Sequence, residues 1–422
     1  MGRGALGACE VTPRRYRDGM QLRTTAFAKG GEAIARESTG RVVFIAGALP
    51  DETVDVELTE ERKEFARARV LDVIEASPDR ITPPCPHVAE GCGGCDLQHA
   101  TPEAQLRLKQ GIVLDVLRKI GRFAEDDLPE IDVVPLAATG YRTTVRGLVF
   151  NERFAFQRRG SNDPIGVDSC LVLHPLLEEL VREGRFGNAH AVTLRCGARS
   201  GERLAFFEPR VPRGRRLPDD VVTAGSAELR ANRKGQIPSY REVVAGHTFR
   251  ISATSFFQVR AGGADALVET VRSMAGPIDQ STRFIDLYGG VGLFAATVGA
   301  DAGLLTLVEQ NAGAVRDART NLGGRDARFI SGAVEAWTPE RADVVVADPA
   351  RSGLGKLGVA KIAGTRAERV VLVSCDPAAF ARDAQLLKAK KYRLERCTIV
   401  DLFPQTSHVE VVSCFVPDAP AD

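Results

Sequence analysis

Apolar runs recur along the last third of the chain at 283–288, 304–309, 327–332, 342–348, 369–375, 393–403 and 408–416, mostly with helix-length segments between them. Seven such runs with crossover helices predict a doubly wound, Rossmann-like α/β sheet, in which ligands lie at the carboxyl ends of the strands. The last two runs are joined only by Pro404-Gln-Thr-Ser-His408, too short for a crossover, so they should form an antiparallel hairpin. Residues from about 130 to 260 read as mostly strands, among them Arg146-Gly-Leu-Val-Phe, Phe154-Ala-Phe-Gln, Ala191-Val-Thr-Leu-Arg and Arg203-Leu-Ala-Phe-Phe, before a helix at about 263–274. Thr101-Pro-Glu-Ala opens an earlier helix, with Thr101 as N-cap, Pro102 in the first turn and Val113, Leu117 and Ile120 on one apolar face. Between about 20 and 75, short runs alternate, as at Val54, Val56 and Leu58, which suits a small barrel of the oligonucleotide-binding kind. Three regions follow: a barrel over 15–76, a central β region over 77–260 and an α/β domain over 261–418.

Polar residues punctuate the strand ends of the α/β region. In Phe284-Ile-Asp-Leu-Tyr-Gly-Gly-Val-Gly-Leu-Phe-Ala295 a buried strand carrying Asp286 enters a turn at Tyr288, with Gly290 and Gly292 leading into a helix. Glycines let the backbone approach a ligand, and the helix N-terminus offers free N–H groups. Glu309 ends the next run at the distance where an acid grips a ribose hydroxyl pair. This is a nucleoside-cofactor site, open at this level to a nicotinamide dinucleotide or to S-adenosylmethionine. Asp286 just before the glycines and the terminal hairpin favour the methyl donor. Asp348-Pro-Ala-Arg351 and Ser374-Cys375-Asp376-Pro377 end two further strands, and Glu410 opens the last one at the same edge.

A cysteine and a carboxylate facing one methyl-donor pocket suit a particular chemistry. C5 of uracil is too poor a nucleophile to accept a methyl group unaided. A thiolate adding to C6 makes C5 enolate-like, and a base must afterwards remove the C5 proton.

Cys85, Cys92 and Cys95 fall within eleven residues, with two glycines between the last two, and Cys170 is a candidate fourth thiol. This spacing admits an iron–sulfur cluster, zinc (with His87 and His99 as further ligands) or free thiols.

The net charge is +1 and 44% of residues are hydrophobic, an ordinary globular composition. No apolar run approaches the roughly 20 residues that span a bilayer, and the first residues lack the apolar core of a secretory signal, so a cytoplasmic protein without a membrane partner is expected, as a monomer. Positive charge is segregated: residues 1–42 hold eight Lys/Arg against four Asp/Glu, and 195–260 hold thirteen against six, including Arg233 and Lys234. With arginines alternating with aromatics in the central strands, the partner expected is RNA.

The ordered motifs resemble the RNA uridine-5-methyltransferase family, in its form with a TRAM barrel and a 4Fe–4S cluster. Lys29-Gly-Gly-Glu-Ala-Ile-Ala, Gly47-Ala-Leu-Pro-Asp-Glu and Ser77-Pro-Asp-Arg resemble the TRAM domain. Val373-Ser-Cys-Asp-Pro-Ala resembles the nucleophile motif, implying Cys375 as nucleophile, and Phe403-Pro-Gln-Thr-Ser-His-Val-Glu410 the base motif, implying Glu410 as general base. The resemblance implies donor binding by Gln258, Tyr288 and Glu309, beside Asp286, Gly290 and Gly292 read above, and likens Asp348-Pro-Ala-Arg-Ser-Gly to the loop that helps hold the target base, with Asp348 also expected at the donor. It implies cluster ligation by Cys85, Cys92, Cys95 and Cys170, and methylation of large-subunit ribosomal RNA, with transfer RNA as the alternative. An iron–sulfur oxidoreductase would leave Cys375 and Glu410 unexplained, and a non-catalytic RNA-binding protein would have no need of them. Four departures stand out. The Cys85–Cys92 spacing is one residue longer than in the family, an insertion expected to leave ligation undisturbed. Leu171 follows Cys170 where proline is common; Gly289 replaces a cysteine or alanine, a harmless change by expectation; Ala333 replaces an aspartate that helps hold adenine, so weaker donor binding or compensation by Glu335 is expected.

Overall fold

A computed structural model describes residues 20–231 and 236–418 of the chain. The basic residues before position 20, the first residues of the expected barrel, and Arg233 and Lys234 lie outside the described residues. The chain divides into two compact units, 1–80 and 81–422.

In the first unit β1 (Met20–Ala28), β2 (Glu32–Arg36), β3 (Val42–Ala46), β4 (Thr53–Glu61) and β5 (Phe65–Glu75) close into a barrel of order β1-β2-β3-β5-β4. Alternation does this: Val54 and Val56 on β4 and Ala66 and Ala68 on β5 point inward while their neighbours face outward. Small side chains suit the narrow interior of a five-stranded barrel.

The second unit opens with α1 (Pro102–Lys119), where Thr101 Oγ1 accepts the Ala104 N–H at 3.3 Å and Pro102 occupies the first turn. β6 (Ile131–Val134) follows. The central sheet comprises β7 (Thr144–Phe150), β8 (Arg153–Gln157), β9 (Pro164–Gly166), β10 (Ala191–Cys196), β11 (Arg203–Glu208) and β12 (Val221–Gly225), in the order β12-β11-β10-β7-β8-β9, with α2 (Pro175–Glu183) packed on it. Next come α3 (Ser226–Ala231) and the hairpin of β13 (Ser239–Val244) and β14 (His247–Ser252).

The expected alternation of arginines and aromatics leaves Arg146 and Phe150 exposed on one face of β7, while other positions named in the sequence are covered or paired. Phe154 and Phe207 are buried in the core, Arg146 pairs with Glu208 at 3.0 Å, and Arg203 pairs with Asp220 at 2.6 Å and Glu179 at 2.9 Å. Both faces of β10 and β11 are largely covered, so the period of two carries no inside–outside meaning there.

After α4 (Ala261–Ala275) the strands β15 (Arg283–Leu287), β16 (Leu304–Glu309), β17 (Arg328–Ser331), β18 (Val344–Ala347), β19 (Arg369–Ser374), β20 (Tyr392–Val400) and β21 (Glu410–Pro417) alternate with α5 (Leu293–Thr297), α6 (Ala312–Asn321), α7 (Gly355–Thr365) and α8 (Pro377–Ala389). All seven expected strands are present, and β20 and β21 form the expected antiparallel pair. The sheet has eight strands, however, in the order β17-β16-β15-β18-β19-β21-β20-β6. Its eighth, β6, comes from the stretch assigned to the central region and pairs parallel with β20. Four residues were too few to show a period. Strand order reverses between β15 and β18, which opens a crevice at their carboxyl ends. Among the described residues no helix is long and apolar enough to cross a membrane.

Candidate active site

At the end of β15, Asp286 is fully buried and its Oδ2 accepts the Ala295 N–H from the first turn of α5 at 2.9 Å. Its Oδ1 has no partner among the described residues. Burial pushes its pKa up to about 8 against the Ala295 bond, with Asp348 and Glu309 adding to the rise. The chain then turns through positive φ at Tyr288 (59°), Gly290 (53°) and Gly292 (86°). A Cβ on Gly290 would meet nothing within 4 Å, so the backbone there borders open space. A Cβ on Gly292 would stand 2.8 Å from Leu322 Cδ1.

Glu309, at the end of β16, accepts the Gly290 N–H at 3.1 Å and the Asn311 N–H at 2.6 Å. It joins the glycine turn to the start of α6, which Asn311 caps. The Tyr288 hydroxyl donates to Glu335 at 2.9 Å, so Glu335 is already drawn to this side of the cleft. Ala333 caps the turn at Val334–Ala336 without a side-chain bond. Gly289 is less neutral than its sequence suggests: a Cβ there would lie 2.7 Å from Leu307 Cγ, because Leu307 fills the space.

Opposite, Gln258 donates to Asp348 Oδ2 at 3.4 Å. The segment leading to Gln258 is pinned by Asp317, a buried residue of α6 that accepts from Ser252 N (2.9 Å), Ser252 Oγ (2.8 Å), Ser255 Oγ (2.7 Å) and Arg250. Asp383 on α8 accepts the Leu354 and Gly355 N–H groups at 2.7 and 3.0 Å, fixing the loop that begins at Asp348. Neither Asp317 nor Asp383 was singled out from sequence. A charged residue among the buried positions of each helix was the available signal.

Cys375 directly follows β19, and Asp376 caps α8 by accepting the Ala379 N–H at 2.8 Å. The antiparallel register pairs Ser374 with Val411, so one further step sets Cys375 opposite Glu410, the first residue of β21. The two residues that sequence placed 35 positions apart thus meet at one sheet edge. Burial, then Glu410 and Asp348, push the Cys375 thiol up to about 11, while Arg351 opposes the rise. Burial, then Asp348, raise Glu410 well above the carboxylate range, again against Arg351. Burial raises Asp348 to about 7. Three acids and a thiol, with Asp286 and Glu410 buried and Asp348 and Cys375 half-buried, therefore share a site that favours their protonated forms until positive charge arrives.

The four candidate ligand cysteines are brought together. Cys85, Cys92, Cys95 and Cys170 line one cavity with Gln98 and Arg142. Gly93 explains the glycines: its N–H bonds Gln157 O at 3.0 Å and a Cβ would crowd the same oxygen, so the cysteine loop lies directly on β8. Burial raises the Cys92 and Cys170 thiols and takes Cys95 to about 11, opposed by N–H groups of Gly94 toward Cys92, of Val172 and Leu173 toward Cys170, and by the Gln98 amide toward Cys95. Among the described residues no three side chains converge closely enough to hold a single metal ion.

Residues 23–71 match the TRAM domain profile, and 338–415 match the profile described as tRNA (Uracil-5-)-methyltransferase. An RNA methyltransferase of Streptomyces avermitilis is 34% identical, over 93% of this chain and 96% of its own. The 23S rRNA (uracil(1939)-C(5))-methyltransferase RlmD of Methylococcus capsulatus is 31% identical, over 92% and 95%. The solved Pyrococcus abyssi tRNA (uracil-54, C5)-methyltransferase, in complex with S-adenosyl-L-homocysteine, shares the fold with a TM-score of 0.71 at 22% identity, covering 94% of this chain and 99% of that one.

Proposed function

The chain belongs to the family of RNA uracil-C5 methyltransferases, and from that premise we propose that it methylates a uridine of large-subunit ribosomal RNA through a covalent adduct on Cys375. The methyl donor is S-adenosylmethionine. The observation that carries the reading is the register that sets Cys375 opposite Glu410.

In this scheme Cys375 loses its thiol proton to solvent and adds as thiolate to C6 of the uracil, and the C5–C6 electron pair moves toward C5 and O4. C5 then forms its bond to the donor's methyl group, whose sulfonium becomes a neutral thioether. Glu410 takes the C5 proton, the C5–C6 double bond returns, and Cys375 leaves as thiolate. The sulfonium's positive charge near Asp348 and Asp286 lowers the cost of ionising the acids around it, so donor binding readies Glu410 as a base. Asp286, Tyr288, Gly290, Gly292, Glu309 and Gln258 form the methyl donor's side of the crevice, where Asp286 Oδ1 is left without a partner among the described residues. The ribosomal substrate rests on full-length similarity to the Methylococcus and Shewanella halifaxensis 23S rRNA enzymes, and the TRAM barrel supplies an RNA-binding module.

The reading extends to a 4Fe–4S cluster on Cys85, Cys92, Cys95 and Cys170. Four thiols lining one cavity match the four-thiolate set that such a cluster takes. The N–H groups aimed at the sulfurs favour thiolates, as such a ligand set requires.

The test is a covalent trap. Protein isolated without oxygen is incubated with S-adenosylmethionine and ribosomal RNA transcribed with 5-fluorouridine, whose C5 fluorine cannot be removed as a proton. A protein–RNA band that survives denaturing electrophoresis and vanishes in Cys375→Ala is expected. A donor-binding protein that gives no band with ribosomal or transfer RNA contradicts the uridine-C5 mechanism.

A further inference from the structure

Glu410 is delivered to the site by the loop 401–409, and that loop is fastened by residues 263 to 311 positions earlier in the chain. Lys109, fully buried on α1, donates to Asp401 Oδ1 at 2.6 Å and to Phe403 O at 2.9 Å. One turn earlier on that helix, Gln105 donates to Gln405 Oε1 at 3.0 Å and accepts the Gln405 N–H at 2.8 Å. Tyr141 donates to Pro404 O at 3.0 Å. The cysteine loop supplies the rest. The Asp96 and Leu97 N–H groups donate to Gln405 O at 3.1 and 3.0 Å, and the Asp96 carboxylate accepts both the N–H and the hydroxyl of Ser407 at 2.7 Å each.

Gln405 sits at φ 67°, a conformation a residue with a Cβ keeps only when its surroundings impose it. Here a fork from each side imposes it. Ser407 is three residues from Glu410, so the grip of Asp96 ends just where β21 begins. Proton removal needs the carboxylate within hydrogen-bond reach of the C5 hydrogen, and a misplacement of about 1 Å costs on the order of a hundredfold.

We infer that Asp96, Gln105 and Lys109 are positioning residues for Glu410, and that the cysteine loop thereby takes part in the proton-removal step. The inference rests on the reading of Glu410 as the base, and it needs no group bound to the cysteines. It has a signature that a general fold defect lacks. Proton removal follows methyl transfer, so a slackened loop delays only the last step and leaves methylated RNA attached to Cys375. A fold defect loses adduct and product together.

The full-length protein is compared with Asp96→Ala, with Ser407→Ala (which removes the same side-chain bond from the other end) and with Glu410→Gln. Each is incubated with S-adenosylmethionine and pooled unmodified ribosomal and transfer RNA transcripts. The expected result is a loss of turnover of about ten- to a hundredfold in the first two variants, the size of a lost charged hydrogen bond, with donor affinity unchanged. A denaturation-resistant protein–RNA species that carries the transferred methyl should build up in all three. The double variant Asp96→Ala/Ser407→Ala should be no slower than the worse single. If Glu410→Gln accumulates the methylated species and the Asp96 and Ser407 variants do not, or if their turnover is unchanged, the latch is overturned. If Glu410→Gln fails to accumulate it, the base assignment falls, and the latch with it.

Discussion

The glycine turn that ends β15 and the loop that delivers Glu410 flank one group of acids, since Asp348 raises the pKa of both Asp286 and Glu410. They are built by different means. On the donor side, Asp286, Tyr288, Gly290, Gly292 and Glu309 lie in one strand–turn–helix–strand unit and hold one another through Ala295 N, Gly290 N and Asn311 N. On the base side, the loop relies on Asp96, Gln105, Lys109 and Tyr141, brought from far upstream by α1 and the cysteine loop. A locally closed unit can be changed residue by residue with local consequences. A loop fastened from a distance transmits changes made elsewhere in the fold.

The largest expected break in this contrast is Lys109→Met. It leaves Asp401 charged and buried without its partner, and a loss of about 3–5 kcal/mol in unfolding free energy is expected in denaturant titration. The donor side should register this only through global stability, with donor affinity at low temperature near that of the wild type.

Asp286→Asn tests the donor side. The folded protein holds the Asp286 proton to about pH 8, whereas the ordinary carboxyl value is 3.8. The folded state thus binds the proton more tightly than the unfolded state, and this group's contribution to stability is full below about pH 4 and falls as pH rises toward 8. Asparagine keeps the bond from Ala295 without the charge. The stability gap should therefore widen in favour of the variant from pH 4 to pH 8, reaching a few kcal/mol at about 1.4 kcal/mol per pKa unit, while donor affinity falls. Thermal unfolding across that pH range, with donor titration by calorimetry, checks both.

The smallest effect is expected from Gly289→Ala. Crowding against Leu307 should cost about 1–3 kcal/mol, and Gly289→Ala/Leu307→Ala should cost less than the sum of the two single changes. Additive costs in denaturant titration would show that Leu307 is not what excludes a side chain at 289.

Legibility followed the same division. Strand runs, the glycine turn, the Thr101 cap and the terminal hairpin were readable because each depends on neighbours in sequence; the hairpin returns Glu410 to the sheet edge where β19 ends, and the long-range β19–β21 pairing then sets it opposite Cys375. β6 was not readable: four residues carry no period, and their partner strand lies more than 260 positions away. The polar fastening of loop 401–409 was missed although a signal existed. Gln105 and Lys109 fall in the buried stripe of α1 with Ile112, Val113 and Val116, and buried polar residues need partners. The sequence could show the need without showing that Gln405, Asp401 and Phe403 meet it. The arginine and aromatic face read into the central strands persists on β7 and is covered on β10 and β11, since alternation does not say which side of a sheet is covered.

The central claim is that Cys375 and Glu410 act in sequence on one uracil, the first before methyl transfer and the second after it. RNA carrying tritium at C5 of uridine separates the two steps, with methyl incorporation and tritium release followed together. The wild type should release one tritium for each methyl transferred. Cys375→Ala should do neither, and Glu410→Gln should transfer methyl into a covalent protein–RNA species while retaining tritium. Tritium release by Glu410→Gln at the wild-type rate, or methyl transfer by Cys375→Ala, would contradict the account.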